Sequence, residues 1–268
     1  MTQSTDTGSA ESSIPLLGAM RIVLVGTSHP GNIGASARAM KAMGVNQLAL
    51  VSPKQFPAAA ATAMASGADD LLENAHVVNS LEEALVGCEV VFGTTARDRH
   101  LEWPVLSPHE AAAKAVNAMA RGPVAFVFGR EQSGLSNAEL DRCQHAIRIP
   151  TEPDFNSLNL SQAVQICVYE ARNAFIAAST DSRRAEQPTD ADPIANNETL
   201  EQLHGHLMTS MESVGYFKPA DPRLLERRVR RMLNGANMRH TETQILRGFL
   251  TAIARTIKRN NDGADDAG

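Results

Sequence analysis

The sequence predicts an α/β domain with a mostly parallel sheet, followed by a small helical domain. Short apolar runs alternate with helical patterns from Met20 to Ser179, as is typical of strand–helix–strand units. Residues 181–197 then carry charged, Pro and Asn residues without an apolar period, and residues 200–260 have a helical pattern with no strand signal. We therefore expect two domains joined by a linker.

The predicted strands are short, apolar and bounded by glycine or other turn residues. Arg21–Val25 ends at Gly26, and Val124–Phe128 ends at Gly129. Continuous apolar runs of this length are typical of parallel strands that are buried on both faces. The other predicted strands are Gln47–Val51, Ala75–Val78, Glu89–Phe92 and Ala146–Ile149.

The predicted helices carry recognisable start and stop signals. Gly34–Met43 is followed by Gly44, which favours a helix end, and Asn32 is a candidate N-cap. Ser107 is expected to cap a helix to Ala120, with Pro108 at its first position. The other predicted helices are Ala58–Ser66, Asp69–Leu72, Leu81–Val86, Asn137–Arg142 and Leu160–Ser179.

Charge is divided unevenly between the predicted parts of the chain. We expect a flexible tail (1–18), the α/β domain (19–178), a linker (179–198), a basic helical domain (199–260) and a frayed tail (261–268). The net charge of the chain is −5, whereas residues 200–260 carry +6 and the remainder −11. Local positive charge attracts phosphate, so the helical domain is predicted to bind nucleic acid.

Five arginines of the helical domain are the candidate RNA ligands. The nearby acids in the sequence are Asp221 and Glu226, so the cluster favours phosphate binding over a solvated helix face, although both interpretations remain open. The candidates are Arg223, Arg227, Arg228, Arg230 and Arg231.

Several protein classes are disfavoured by composition. The three cysteines are far apart and form no C-x-x-C pair, so neither a disulfide framework nor a metal site is expected. His204 and His206 would point to different faces of a helix, which is poor metal geometry. Met1 to Ser13 has no basic region followed by an apolar core, and no apolar run reaches membrane-spanning length, so neither a signal peptide nor a membrane span is expected. We expect a cytoplasmic protein without membrane or metal partners.

Two loops have the glycine spacing of a phosphate-binding loop but lack its lysine. Gly26 and Gly31 are followed by Asn32, and Gly129 and Gly134 enclose Glu131. A nucleotide triphosphate or dinucleotide site is therefore weakly supported. For the first loop alone an ordinary capped helix is the favoured interpretation, but a carboxylate in a tight turn indicates that Glu131 has a partner.

Two further loops follow predicted strands, where ligands of parallel sheets bind. Gly93–Arg97 is built of small residues that allow close approach to the backbone. Ser157–Ser161 offers hydroxyls, amides and backbone N–H groups at a helix N-terminus. Each loop alone is equally compatible with a purely structural turn or helix cap.

Taken in order, these loops resemble a known family. Asn32–Arg38, Gly129–Gly134 and Ser157–Ser161 resemble the three signature motifs of the SPOUT class of RNA methyltransferases, particularly the bacterial enzymes that methylate ribose 2′-hydroxyls of tRNA. The resemblance covers about Arg21 to Phe175 and extends weakly into the basic domain. It implies a Rossmann-like sheet whose C-terminal part forms a trefoil knot, and a homodimer with active sites near the subunit interface.

The resemblance also implies the activity and the site. S-adenosylmethionine would be the cofactor and the anticodon-loop ribose of tRNA nucleotide 32 the methyl acceptor. The residues expected near the ribose are Asn32, Arg38, Glu131 and Ser157. The cofactor pocket would be lined, largely by backbone groups, by Thr94, Thr95, Ala96, Gly129, Ile149, Ser157, Leu158 and Asn159.

Chemistry distinguishes the roles of these residues. A guanidinium keeps its proton to a pH above ~12, so Arg38 is expected to act as a cation on phosphate and on developing negative charge, not as a base. Ser157 is expected to orient the hydroxyl, and Glu131 to fix Arg38 or another side chain. Two alternatives remain: a non-catalytic RNA-binding protein on the same fold, and a different α/β enzyme that binds a nucleotide. Calorimetry with S-adenosylmethionine would discriminate among them.

Overall fold

The computed structural model describes residues 17–96, 105–154, 157–181, 192–219 and 224–265. The predicted parallel sheet is confirmed. Its strands are β1 (Met20–Val25), β2 (Gln47–Val51), β3 (His76–Val78), β4 (Val90–Thr94), β5 (Val105–Leu106), β6 (Val124–Phe128) and β7 (His145–Ile147). They lie in the order β3-β2-β1-β6-β4-β7-β5, and neighbouring strands pair in parallel. The knot that the resemblance implies stays a prediction.

Both faces of the sheet are covered by helices. The helices of the α/β domain are α1 (Pro30–Met43), α2 (Ala59–Ala65), α3 (Asp69–Glu73), α4 (Leu81–Leu85), α5 (Pro108–Met119), α6 (Asn137–Leu140) and α7 (Leu160–Asp181). Alternate β1 side chains enter two separate cores. Ile22 and Leu24 belong to one core, and Val23 and Val25 belong to the other. This burial on both faces explains why β1 is apolar without interruption from Ile22 to Val25.

The C-terminal domain has its own small core. Its helices are α8 (Asn197–Ser213), α9 (Leu225–Gly235) and α10 (His240–Asp265). Leu203, Val229, Leu233 and Leu250 are buried between them. None of the helices in the described part of the chain combines the length and apolar character required to span a bilayer.

Several predicted boundaries differ from the structure. Leu17, assigned to the tail, is buried in the core, because the chain enters the sheet through a short 3-10 turn. The last helix continues to Asp265, so the predicted frayed end at 261 was placed too early. Strand β5 has two residues, too few for a sequence pattern, and was not predicted. Most of the predicted N-terminal tail (1–16) and most of the predicted linker (182–191) lie outside the described residues.

Helix α1 begins earlier than predicted, and Asn32 is not its N-cap. The cap position is His29, which provides no side-chain hydrogen bond, and Pro30 occupies the first turn. Proline favours this position because it has no N–H to satisfy. Asn32 lies inside the helix, where its side chain is free to contact other loops. The prediction of its capping role was therefore wrong.

Candidate active site

A cleft of about 290 Å³ opens at the carboxyl ends of three adjacent strands. Strands β6, β4 and β7 are neighbours in the sheet although they are separated in sequence. The loops that follow them therefore meet at one edge, as expected for a ligand site of a parallel sheet. The cleft is lined by Thr94, Thr95, Ala96, Phe128, Gly129, Arg130, Glu131, Gln132, Ser133, Gly134, Leu135, Ile147, Ile149, Thr151, Ser157, Leu158, Leu160 and Ala163.

Most of the residues predicted to bind a cofactor line this cleft. They are Thr94, Thr95, Ala96, Gly129, Ile149, Ser157 and Leu158. Asn159 is not among the lining residues. Its side-chain oxygen accepts hydrogen bonds from the backbone N–H and hydroxyl of Ser161, at 2.9 and 2.7 Å, at the start of α7. Asn159 therefore caps the start of α7, and its side chain also forms a hydrogen bond to another loop.

The loop after β6, which forms one wall of the cleft, is a tight turn. Backbone groups of Arg130 and Gly134 exchange hydrogen bonds of 2.8 and 3.2 Å, which makes a tight turn. A Cβ atom at Gly129 would lie 2.1 Å from the backbone of Gly134 and Leu135. Even alanine at Gly129 would therefore deform the loop. Substitution there cannot test ligand binding independently of loop structure.

Glu131 crosslinks this loop to the loop after β1. Its carboxylate accepts hydrogen bonds from the backbone N–H groups of Ser28 and His29, at 3.0 and 3.1 Å. It also accepts one from the side-chain amide of Asn32, at 3.1 Å. The expected partner of Glu131 is therefore the N-terminal region of α1 and, within the described residues, not Arg38.

Asn32 connects Glu131 to the third loop. Its side-chain amide donates to Glu131, and its carbonyl oxygen accepts a hydrogen bond of 3.0 Å from the side chain of Asn159. A series of side-chain hydrogen bonds thus joins the loops after β1, β6 and β7. Three of the predicted site residues fix the relative positions of these loops.

Arg38 does not line the cleft of its own chain. Its side chain is exposed on α1, and it is not among the described residues that line the cleft. Ser157, in contrast, is an exposed residue of the lining. The structure therefore brings Ser157 and Glu131 to the cleft, places Asn32 in contact with Glu131, and leaves Arg38 on the surface of the same chain.

Some lining residues were not predicted from sequence. Arg130 is held by Glu139, whose two carboxylate oxygens accept hydrogen bonds of 3.0 Å from the guanidinium. The spacing Ser136-x-x-Glu139 is a capping-box signal, and the structure has that box. It could have identified an ordered acid near the loop, but nothing in the sequence connects Glu139 to Arg130. Ala163 is on α7, and only the packing of this helix brings it to the cleft.

The hydrogen bonds around Glu131 favour its ionised form. Burial acts to raise the pKa of Glu131, but hydrogen bonds from the N–H groups of Ser28 and His29 and from Asn32 outweigh it, and the pKa lies below its ordinary value of 4.5. The folded state therefore gains stability from the carboxylate at neutral pH. That contribution is lost as the pH falls from about 4.5 through the lower pKa of the folded state.

Replacing Glu131 with glutamine is expected to lower the free energy of unfolding at pH 7 by about 1–2 kcal/mol, since hydrogen bonds to a charged acceptor are lost. The difference from wild type should shrink in acid below the ordinary glutamate pKa. Denaturant unfolding at pH 7 and pH 3.5 would measure both effects. Glu73→Gln, at an exposed position of α3, is the matched control and should leave stability unchanged. An equal loss for Glu131→Gln at both pH values would contradict the assignment.

The basic helix α9 does not present its arginines as a single unpaired cluster. Arg227 forms an ion pair with Asp141, and Arg230 pairs with Glu201 at 3.0 Å. Asp141 and Glu201 are distant from these arginines in the sequence, whereas Glu226, one of the two nearby acids, lies 3.9 Å from Arg230. Arg228 and Arg231 make no ion pair with any residue in the described ranges. Arg223 lies outside the described residues.

Comparison with known proteins matches both domains. Residues 19–169 match the model of the SpoU rRNA Methylase family, and residues 198–262 match that of the tRNA methyltransferase TrmJ C-terminal domain. The chain is 46% identical to the tRNA (cytidine/uridine/adenosine-2'-O-)-methyltransferase TrmJ of Pseudomonas aeruginosa, over 92% of this chain and 100% of that protein. It is 43% identical to the tRNA (cytidine/uridine-2'-O-)-methyltransferase TrmJ of Escherichia coli strain K12, over 90% and 97%.

Solved structures agree with these matches. The crystal structure of TrmJ from Z. mobilis ZM4 is similar with a TM-score of 0.73 and 33% identity, and the match covers 87% of this chain and 98% of that chain. A probable methylase family protein from Haemophilus influenzae Rd KW20 has a TM-score of 0.61 and 38% identity, covering 91% and 99%. The similarity thus includes the α/β domain and the helical domain together.

Proposed function

The chain belongs to the SpoU rRNA methylase family, and from this premise we propose that it is a tRNA 2′-O-methyltransferase that uses S-adenosylmethionine. The observation that carries the proposal is the cleft at the ends of β4, β6 and β7, bordered by three motif loops that a series of side-chain hydrogen bonds holds together. The acceptor we propose is the ribose of nucleotide 32 in the anticodon loop.

The cleft fits the proposed cofactor in size and chemistry. Ligand pockets have volumes of about 300–1,000 Å³, and this cleft is at the lower end of that range. Ile147, Ile149, Leu158 and Leu160 give it apolar walls suited to a nucleoside ring. The backbone of the 129–135 loop supplies polar groups close to the ligand space. When bound, S-adenosylmethionine supplies an activated methyl group on a sulfonium, so no metal is needed.

The protein's own residues align and polarise the acceptor. Ser157 lies in the cleft lining and orients the 2′-hydroxyl. Glu131 and Asn32 hold the loops in place, and since three donors already contact the carboxylate, we assign Glu131 a positioning role and not that of general base. Arg38 supplies a permanent cation for the phosphate next to the ribose and for the negative charge that develops on oxygen.

A homodimer explains the position of Arg38. Within one chain this arginine is exposed and does not line the cleft, whereas the proposed chemistry needs a cation beside the acceptor. We propose that the second subunit supplies Arg38 to the cleft, so that each active site is completed by two chains. The dimer also doubles the number of basic helical domains that face the tRNA.

Methylation of defined tRNA tests the proposal directly. Incubation of the purified protein with unmodified tRNA and labelled S-adenosylmethionine should give one 2′-O-methylated nucleotide at position 32, mapped by mass spectrometry of ribonuclease fragments. Binding of tRNA without methyl transfer would support the non-catalytic alternative. Cofactor binding with methylation at another position would leave the enzyme class intact and correct the target.

Blocking the cleft should prevent cofactor binding without loop deformation. Ala163 lies on α7 and faces the cleft, so Ala163→Phe fills the space from a regular helix. We expect affinity for S-adenosylmethionine, measured by calorimetry, to fall at least about tenfold, equivalent to about 1.4 kcal/mol. Ala60→Phe, at an exposed position of α2, is the control and should bind normally. Unchanged affinity in folded Ala163→Phe would place the cofactor elsewhere.

A further inference from the structure

The turn between α6 and β7 (Asp141–Gln144) contacts the C-terminal domain through polar groups. The Arg227 guanidinium donates to both carboxylate oxygens of Asp141, with 3.0 Å between Nη2 and Oδ1. The Asp141 side chain is only 3% exposed. A buried carboxylate needs a partner because the protein interior solvates charge poorly. Arg227 is that partner, and it comes from the other domain.

A second group of contacts surrounds this pair. Gln144 donates to the side chain of Asn197 at the start of α8, and its own carbonyl oxygen accepts from the backbone N–H of Val91 in β4 at 2.7 Å. The side-chain amide of Asn234, on α9, donates to the backbone oxygen of Cys143 at 3.4 Å. The contact surface therefore includes both α8 and α9.

Glu201 connects the second arginine of α9 to the same surface. Both carboxylate oxygens of Glu201 accept hydrogen bonds from Arg230, at 3.0 and 3.1 Å. Arg142 of the turn lies 3.8 Å from the same carboxylate. Glu201 of α8 is thus shared between Arg142 of the α/β domain and Arg230 of α9. Arg230 is largely buried, with 13% of its side chain exposed.

The Asp141–Gln144 turn, called the docking turn below, lies close to the cleft in the fold. Two residues before Asp141, Glu139 holds the cleft residue Arg130. After the turn, β7 ends at the cleft residue Ile147. A helical domain held on this turn therefore has a defined position relative to the cleft, and so do the unpaired arginines of α9.

We propose that Arg227 and Arg230 are docking residues and not RNA ligands: they fix the C-terminal domain on the Asp141–Gln144 turn and so position Arg228 and Arg231 for tRNA relative to the cleft. Two groups of arginines on one helix thus have different tasks. Arg227 pairs directly with Asp141 of the α/β domain, whereas Arg230 holds Glu201 of α8, which lies 3.8 Å from Arg142 of the turn. The arginines without an ion-pair partner among the described residues are available for phosphate. The docking role of Arg227 and Arg230 does not depend on the proposed function. The role of Arg228 and Arg231 toward tRNA, and the activity measurement below, rest on it.

A double-mutant cycle on the full chain tests the docking role. Arg227→Ala leaves the buried Asp141 carboxylate without its partner, so we expect the midpoint of thermal unfolding to fall by roughly 5 °C or more. Asp141→Ala leaves Arg227 able to reach water and should cost less. Adding Asp141→Ala to Arg227→Ala should raise the midpoint again, because the unpaired buried charge is removed. Additive losses in the double variant would overturn the docking role.

Activity separates positioning from direct RNA binding. Arg227→Ala and Asp141→Ala should both lower kcat for tRNA methylation several-fold at saturating cofactor, and the double variant should be no worse than Arg227→Ala alone. Arg228→Ala is the matched control on the same helix. It should raise KM for tRNA, and its effect should add to that of Asp141→Ala.

The possible results discriminate the two roles. If Arg227→Ala raises KM for tRNA while Asp141→Ala changes neither kinetic constant, Arg227 is an RNA ligand and the inference is wrong. If the wild-type protein does not methylate tRNA, the proposed function fails, but the sign of the Asp141→Ala effect in the Arg227→Ala background still decides the docking role.

Discussion

Replacing Arg38 with alanine is expected to lower the rate of tRNA methylation by ~10²–10³-fold, the effect of removing a group that stabilises charge in a transition state. Binding of S-adenosylmethionine should be unchanged, since the contacts proposed for Arg38 are to the phosphate and the oxygen of the acceptor and not to the cofactor. Single-turnover methylation and calorimetry measure the two properties separately. Wild-type turnover in Arg38→Ala would remove this residue from the mechanism.

The lysine variant separates charge from geometry. Arg38→Lys keeps the positive charge but loses the planar fork that can bind a phosphate through two hydrogen bonds. It should therefore remain strongly impaired. Near-normal activity in Arg38→Lys would show that a point charge is sufficient.

Subunit mixing tests whether Arg38 acts across the dimer. At limiting S-adenosylmethionine, Arg38→Ala and Ala163→Phe should each be strongly impaired, for different reasons. In a mixed dimer one cleft would have an intact Ala163 and receive the intact Arg38 of the other chain, so co-refolding the two variants should restore part of the activity. If mixed dimers form but remain inactive, Arg38 acts on the cleft of its own chain.

Ending the chain at Asp181 is expected to leave a folded, cofactor-binding domain that binds tRNA much more weakly. At the docking turn the truncation removes the partners of polar groups of Asp141, Cys143 and Gln144, and water can replace these partners. The region removed includes residues 200–260 with their net charge of +6. Circular dichroism and cofactor calorimetry would confirm folding, and gel-shift titration would measure tRNA affinity.

The salt dependence identifies where phosphate is bound. Each phosphate contact contributes about −0.9 to the slope of the logarithm of the binding constant against the logarithm of salt concentration. The truncated chain should therefore have a shallower slope than the full chain. Reversing charge at Arg228 and Arg231 in the full chain should reproduce part of the change. Equal affinity and slope for the full and truncated chains would locate the RNA surface on the catalytic domain.

Local patterns predicted most of the elements because each depends on residues close in sequence. The apolar run at Val124–Phe128 and the signals at Ser107 and Pro108 correspond to β6 and to the capped start of α5. Boundaries that depend on distant partners were missed. Helix α1 starts at Pro30, and the amides of the two residues before it donate to the carboxylate of Glu131, about one hundred residues away.

The sequence by itself determined the α/β class, the three motif loops and the basic character of the C-terminal domain, because periodicity, glycine positions and charge are properties of the chain. The tertiary structure alone decided which side chains meet. It joined Glu131, Asn32 and Asn159, and it paired Arg227 with Asp141. Burial of charge and satisfaction of hydrogen bonds depend on neighbours in space, and the parallel sheet brings together residues that the sequence separates.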